Sequence, residues 1–527
     1  MSETAQVPEV NPLSKEARPE DAQFVKSRRA FLFGAVAGVA TAATAAPRTM
    51  LAQGRRATVA KRTAAPPDLF ATGALANAVP APLEWGNSVA RLVRRATMGI
   101  TDSDLATAKS MGYEEWLHSQ LDYTRIDNTT VEGQVAALWP QLAESGDTLN
   151  TAENGTIRNM LQAQWIYRAV RSPRQLYERM VEFWSDHFNI EFDKVGYLKI
   201  IDDREVIRKH ALGKFSDLLK ASTKSPAMLA YLDQTVSRVG AVNENYAREL
   251  LELHTVGVDG GYTQQDVAEL ARVLTGWTIA GRGTFSFNAN GHDWSAKTVM
   301  GMTIPASSPS LGQAGIQEGE KIIEMLITHP RTAIYIATKL LQWFITPDPS
   351  ATQISAVASV FRATKGDIRL VVRAVLNSGW VAAAPLKFKR PFHYLVSSIR
   401  SSNAVVTNTT NMISQINALG QPLYLWETPD GYPDLFEYWS GNLIPRWQFA
   451  STVSTLRTGQ IIIDSAPYLA GTSDAAIDLI NANFFGSEMG LATRTVLLAY
   501  VKGGTLNDSR VREAISLAIA SESFQWY

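Results

Sequence analysis

Apolar side chains recur at helical spacing along most of the chain. Leu161, Trp165 and Ala169 fall on one face, as do Leu176, Met180, Trp184 and His187. Ala333, Ile336, Leu340 and Phe344 carry the pattern further. Start signals accompany it. Thr101-Asp102-Ser103-Asp104 and Thr263 to Asp266 read as capping boxes, in which hydroxyl and carboxylate satisfy amides that a first helical turn leaves free. The first opens a helix toward Trp116 and Leu121, the second a helix through Val267, Leu270, Leu274 and Trp277. Pro330 suits a first helical position, where no amide hydrogen is needed. Further helices are predicted over 353–363, 367–376, 391–401, 445–463, 474–484 and 508–520. Thr284 to Phe287 alternates between Gly-containing loops, which predicts one small hairpin. The fold class that follows is all-α. We expect a single large helical body over 85–527, with long irregular loops near 280–312 and 402–445 and at most a small β-hairpin.

The first 84 residues read differently. Ser27-Arg28-Arg29-Ala30-Phe31-Leu32 precedes a charge-free stretch from Ala30 to Pro47, and Ala43-Thr44-Ala45 offers a small-residue cleavage site. Paired arginines before a soft apolar core resemble a twin-arginine export signal, assigned to 1–45. Residues 46–84, containing Ala, Pro and Arg but few large apolar groups, read as a flexible linker. The expected location is periplasmic or secreted, with the twin-arginine translocase as partner during export. That route carries folded proteins, so a cofactor could be inserted beforehand. No later segment is long and apolar enough to predict a stable membrane span.

Composition narrows function by exclusion. The 50 Lys and Arg are matched by 50 Asp and Glu, which argues against a nucleic-acid partner. Residues 1–45 hold five of each sign, so their removal leaves the mature chain neutral. Cysteine is absent, which excludes disulfides, thiolate zinc sites, iron–sulfur clusters and cysteine nucleophiles. There is no G-x-S-x-G elbow, phosphate-binding Walker loop, H-E-x-x-H helix or dinucleotide fingerprint.

Candidate chemistry lies in four segments. His187 shares a helical face with Met180, Phe183 and Trp184, where a buried structural histidine is the bland alternative. Asn243 to His254 is the densest polar cluster. Glu244, Arg248 and Glu252 can pair at i,i+4, worth about 0.2–0.5 kcal/mol each, but Asn243, Asn245 and Glu249 have no such explanation. Glu249 and Glu244 are therefore candidate general bases or metal ligands, held by Arg248. The loop Asn288 to Trp294 carries His292 and Asp293. Convergence of His187, His254, His292 and Asp293 would make a His/carboxylate site for a divalent metal such as Zn, Fe or Mn. The fourth segment, Tyr424 to Phe449, is rich in aromatics and holds the turn Pro429-Asp430-Gly431-Tyr432. Trp426, Tyr432 and Trp439 are candidate substrate-stacking rings, with loop packing as the alternative.

In order along the chain, Ala90–Arg95, Phe183–Phe188, Pro226-Ala227-Met228, Asn243–Gly257, Leu274–Trp277, His292-Asp293, His329-Pro330 and Lys387–Pro391 form a set. Through it the chain resembles the large exported bacterial proteins of domain-of-unknown-function family 1800. The resemblance implies export and an α-helical body, without an established activity. It also implies a neighbour, since the family's genes often lie beside those of a co-exported phosphatase/sulfatase-like protein. Ser185-Asp186 departs from the amide-like pair expected there, which weakens a role for Asp186. Two functions follow as expectations. One is a periplasmic or extracellular metal-dependent enzyme. The other is a non-catalytic exported module that binds a surface polymer or that co-exported partner.

Overall fold

Helix starts form where the capping signals stand. In the computed structural model, which describes residues 85–406, 409–455 and 461–527, Thr101 Oγ1 accepts from the Asp104 amide at 3.1 Å. Thr263 and Asp266 close a full capping box before the helix Gln264–Val273. Ser350 and Gln353 form another, before Ala351–Ala363. The helix from Asp102 stops at Met111 because Gly112 turns the backbone at φ 84, and a second helix, Tyr113–Leu121, continues toward Trp116. The export signal and linker lie outside the described residues.

The apolar faces close into two adjoining cores. One gathers residues from Ala90 to Ala384, including Leu176, Met180, Trp184, Leu270 and Leu340. The other joins Asn154–Arg171 to the C-terminal helices, among them Ser473–Phe485 and Asp508–Ala520. Four helices position the site. They are α1 (Gln175–His187), α2 (Asn245–Glu249), α3 (Pro330–Phe344) and α4 (Pro391–Ser401). Leu176, Met180, Val181 and Trp184 anchor α1 with no exposed surface, each contributing about 1.5–3 kcal/mol of burial. Every residue of α4 is buried, and its Phe392 ring meets Trp165 at 5.1 Å.

The fold is all-α, with three two-stranded antiparallel sheets among the described residues. The expected hairpin is β1 (Trp277–Ala280) against β2 (Thr284–Phe287), in the register Trp277↔Phe287. A second hairpin, β3 (Lys297–Val299) with β4 (Met302–Ile304), orders part of the stretch read as loop. Likewise 402–445 contains the helix Thr409–Ala418, whose Met412, Ile413 and Ile416 are buried beneath a polar Thr- and Asn-rich surface. Helix 445–463 runs instead as Leu443–Thr455. Beyond it, β6 (Ile461–Ile462) pairs with β5 (Val405–Val406).

Candidate functional site

A cleft of about 270 Å³ opens where the C-terminal turn of α1 meets α3 and the start of α4. Phe183, Asp186 and His187 line it from α1, and Lys339, Gln342 and Trp343 from α3. Arg390 enters from the residue before α4, and the loop Asp430–Leu435 forms the remaining wall.

That loop is fixed by close backbone approach. Gly431 has φ 74, and a Cβ there would lie 2.3 Å from the Asp186 carbonyl oxygen. Only glycine satisfies both conditions. Asn189 Nδ2 donates to the carbonyls of Trp426 and Thr428 at 2.9 and 2.8 Å, and Tyr231 donates to the Glu427 carbonyl at 2.8 Å. Asp430 Oδ1 accepts from Trp426 Nε1 at 3.1 Å and Thr428 Oγ1 at 2.5 Å.

The cleft wall is charged. Asp186 pairs with Arg390 at 2.6 Å, Glu182 with Arg179 at 2.9 Å, and Asp434 with Lys387. Burial alone would lower the Arg390 pKa, but Asp186, Glu182 and Asp434 outweigh it and hold the guanidinium charged. Arg179 and Arg390 also stack against Trp343, at 4.6 and 5.1 Å from its ring centre. Lys339 has no ion pair among the described residues. Burial draws its pKa down, against the fields of Asp186, Asp434 and Asp430.

His187 lines the cleft with a ring whose unpartnered nitrogen is itself buried. Its Nε2 lies 3.2 Å from the His254 carbonyl, an acceptor, so the proton is assigned to Nε2. Nδ1 is then an acceptor, and it has no partner. Burial first, then His254 and Lys339, lower the His187 pKa and keep the ring neutral. His254 sits on a π-helical turn, Leu250–His254, that continues α2. Burial draws its pKa down to about 3, and its Nε2 is also without a partner. The two rings are 6.3 Å apart.

Glu249 closes α2 half-buried, in electrostatic reach of Asp430. Burial, then Glu252, push its pKa up to about 7; Arg248 opposes this and Asp430 adds to it. Tyr335, whose ring is 6.1 Å from His187, feels both acids, and its hydroxyl is pushed up to about 12, mainly by burial. Glu249, Tyr335, His187 and Asp430 therefore form one neighbourhood.

The other candidates are placed elsewhere or otherwise engaged. Arg248 bonds Glu244 at 3.2 Å and Gln264 at 3.0 Å, with Glu252 at 3.6 Å, which is the helix-surface pairing their spacing allows. Asn243 and Asn245 pin the chain through the carbonyls of Asp233 and Leu232, which accounts for both amides. His292 does not join His187 and His254. Its Nδ1 lies 2.8 Å from the Thr275 carbonyl and its Nε2 3.2 Å from Glu318, which Lys297 also holds at 2.6 Å. Asp293 is bound by Arg272 at 2.8 Å and by Ser295. Those hydrogen bonds outweigh burial and lower its pKa. The four expected metal ligands thus fall into two separate groups, His187 with His254 and His292 with Asp293, and only the second has its polar atoms engaged. Among the described residues, no three His, Asp or Glu side chains are placed to hold one metal ion.

The aromatic candidates also divide. Trp439 is buried, donates to the Pro433 carbonyl at 2.7 Å and packs in a small cluster with Phe388 and Tyr432. Trp426 is half-buried and, with Tyr432, lines a groove of about 320 Å³ beside the cleft. Tyr432 borders both spaces. Reading the sequence missed Lys339 and Arg390 and discounted Asp186. One signal was available, the basic run Lys387-Phe388-Lys389-Arg390 directly before a wholly buried helix.

The family model described as "Protein of unknown function (DUF1800)" matches residues 91–526. No curated protein and no solved structure matches the chain.

Proposed function

We propose, from the premise that this chain belongs to the DUF1800 family, that it is an exported enzyme hydrolysing a sugar polymer by general acid–base catalysis. Glu249 carries the reading, as a half-buried carboxyl pushed up to about 7 by burial and by Glu252, with a smaller contribution from Asp430, which lines the charged cleft. A carboxyl of that pKa is protonated about half the time at neutral pH and can donate to a departing oxygen. Asp430 serves as the second carboxylate, taking a proton from the attacking water. His187 contributes a neutral ring to the cleft wall, Lys339 binds an oxygen-rich group, and the Trp426–Tyr432 groove takes the next sugar ring. The pairs Asp186–Arg390 and Glu182–Arg179 position the walls. The resemblance of residues 1–45 to a twin-arginine export signal supports release to the periplasm or beyond.

A second reading, a non-catalytic module that binds a surface polymer or the co-exported phosphatase/sulfatase-like partner, is favoured by one observation. Phe436, Tyr438, Ile444 and Trp447 are each about half exposed or more along 436–447. One experiment separates the two. The full chain is incubated with soluble bacterial polysaccharides and reducing ends are counted, for the native protein and for Glu249→Gln. Hydrolysis predicts turnover that falls by roughly 10²–10⁴-fold in the variant. Saturable binding of polymer without turnover in either protein would replace the enzyme by the binding module.

A further inference from the structure

We propose that Tyr438 is a further substrate-binding residue, the outer contact of a polymer path that leaves the cleft over Tyr432 and Trp426. This role rests on the sugar-polymer reading of the same site, and it concerns how the polymer is gripped, whether or not it is cleaved.

Four aromatic rings are linked on this side of the cleft. Tyr432 lines both the cleft and the groove beside it, and Trp426 lines the groove. Their ring centres are 4.8 Å apart. Trp426 meets Tyr438 at 6.0 Å, and Tyr438 meets Trp439 at 4.6 Å, both nearly at right angles. Tyr432 closes the set against Trp439 at 6.1 Å.

The polar atoms of the four rings separate their roles. Tyr432 donates its hydroxyl to the Pro422 carbonyl at 2.5 Å. Trp426 Nε1 donates to Asp430 at 3.1 Å, and Trp439 Nε1 to the Pro433 carbonyl at 2.7 Å. Those three rings are locked by their own loop. Tyr438 differs. Its hydroxyl makes no hydrogen bond among the described residues, and it is 50% exposed, whereas Trp439, next in sequence, is 3% exposed. Burial of Trp439 holds the helical turn Phe436–Trp439 and so fixes where the Tyr438 side chain stands.

A tyrosine that serves packing alone buries its ring and pairs its hydroxyl. Tyr438 leaves half its surface open and its hydroxyl unspent, directly beyond the groove. A sugar unit presents an apolar face of C–H groups and a rim of hydroxyls, and this side chain matches both. A ring already held by its neighbours also loses little freedom on binding. The path thus offers three successive contacts, which are the cleft, the Trp426–Tyr432 groove and Tyr438. A two-unit fragment fills the first two and does not reach the third.

The test uses the full chain with a soluble glucan, a galactomannan and an alginate, and with the two-unit fragment of whichever polymer binds most tightly. Binding is titrated in the Glu249→Gln background, so that the polymer is not consumed and the result does not depend on turnover. Adding Tyr438→Ala should weaken polymer binding about tenfold, and Tyr438→Phe, which keeps the ring, about threefold. Binding of the two-unit fragment should be unchanged in both, and both should unfold at the native midpoint. In the otherwise native chain, Tyr438→Ala should raise KM for the polymer by the same factor with kcat unchanged. Polymer binding that Trp426→Ala weakens and Tyr438→Ala does not, or an equal loss for polymer and two-unit fragment, would overturn this role alone. No binding of any of the three polymers would overturn it together with the sugar-polymer reading.

Discussion

Replacing Arg390 by Gln should expose how the cleft is held together. The Arg390 side chain is 3% exposed and Asp186, its partner at 2.6 Å, is 17% exposed. Removing one member of such a pair leaves a carboxylate without its cation, a loss of about 3–5 kcal/mol for buried pairs. The partial exposure of Asp186 places the loss near the lower end, about 3 kcal/mol, against a total stability of roughly 5–15 kcal/mol. The sign with pH follows from Asp186, whose pKa burial already raises against the pull of Arg390. Without Arg390 it rises further above the unfolded value of about 3.9. The folded variant then binds more protons than the unfolded chain, so its stability is retained at low pH and lost as pH climbs. Urea unfolding followed by tryptophan fluorescence should therefore show a larger deficit at pH 8 than at pH 5. Adding Asp186→Asn should recover most of it at pH 8. A deficit that is the same at both pH values, with no recovery in the double variant, would mean that Arg390 acts by packing on Trp343 and not by charge.

Four further outcomes are expected. Glu249→Gln should raise stability at pH 8 but not at pH 5, because the native carboxyl, pushed up to about 7, must ionise in a half-buried site between those values. Solvent screening limits the gain to about 1 kcal/mol, read as a shift in the urea midpoint. Trp439→Ala should lower stability by about 3–5 kcal/mol, as loss of a core ring does. Trp426→Ala should instead weaken polymer binding in a titration while unfolding close to the native midpoint. Gly431→Ala should cost about 1–3 kcal/mol from its positive φ and raise KM, since the added Cβ meets the Asp186 carbonyl and displaces the Asp430 wall.

Much of the fold was legible because helix signals are local. Thr263 and Asp266 announce their capping box three residues apart, and Pro330 marks its own first turn. The stretch 402–445 was misread as irregular because Thr409–Ala418 buries only Met412, Ile413 and Ile416, and an isolated apolar triplet between amides is a faint period. Cleft assembly is a different matter. His187 and Glu249 stood out as groups in apolar or unexplained positions; His187 lines the cleft, and Glu249 feels the field of Asp430 in its wall. Lys339 gave no such signal, because a lysine between apolar helical positions looks like any solvated face. Gly431 against Asp186 is a contact between residues far apart in the chain, which no spacing rule encodes. His292 misled for the same reason. Its pairing with Asp293 in sequence suggested shared chemistry, whereas Glu318 and Arg272, remote in sequence, take them in different directions.

Crystals of the Glu249→Gln chain soaked with a polysaccharide that the native chain degrades would test the central claim most directly. A sugar unit should occupy the cleft, with an oxygen on Lys339 and the following ring over Trp426. Sugar density confined to the exposed surface around Ile444 and Trp447, with the cleft empty at saturation, would contradict it.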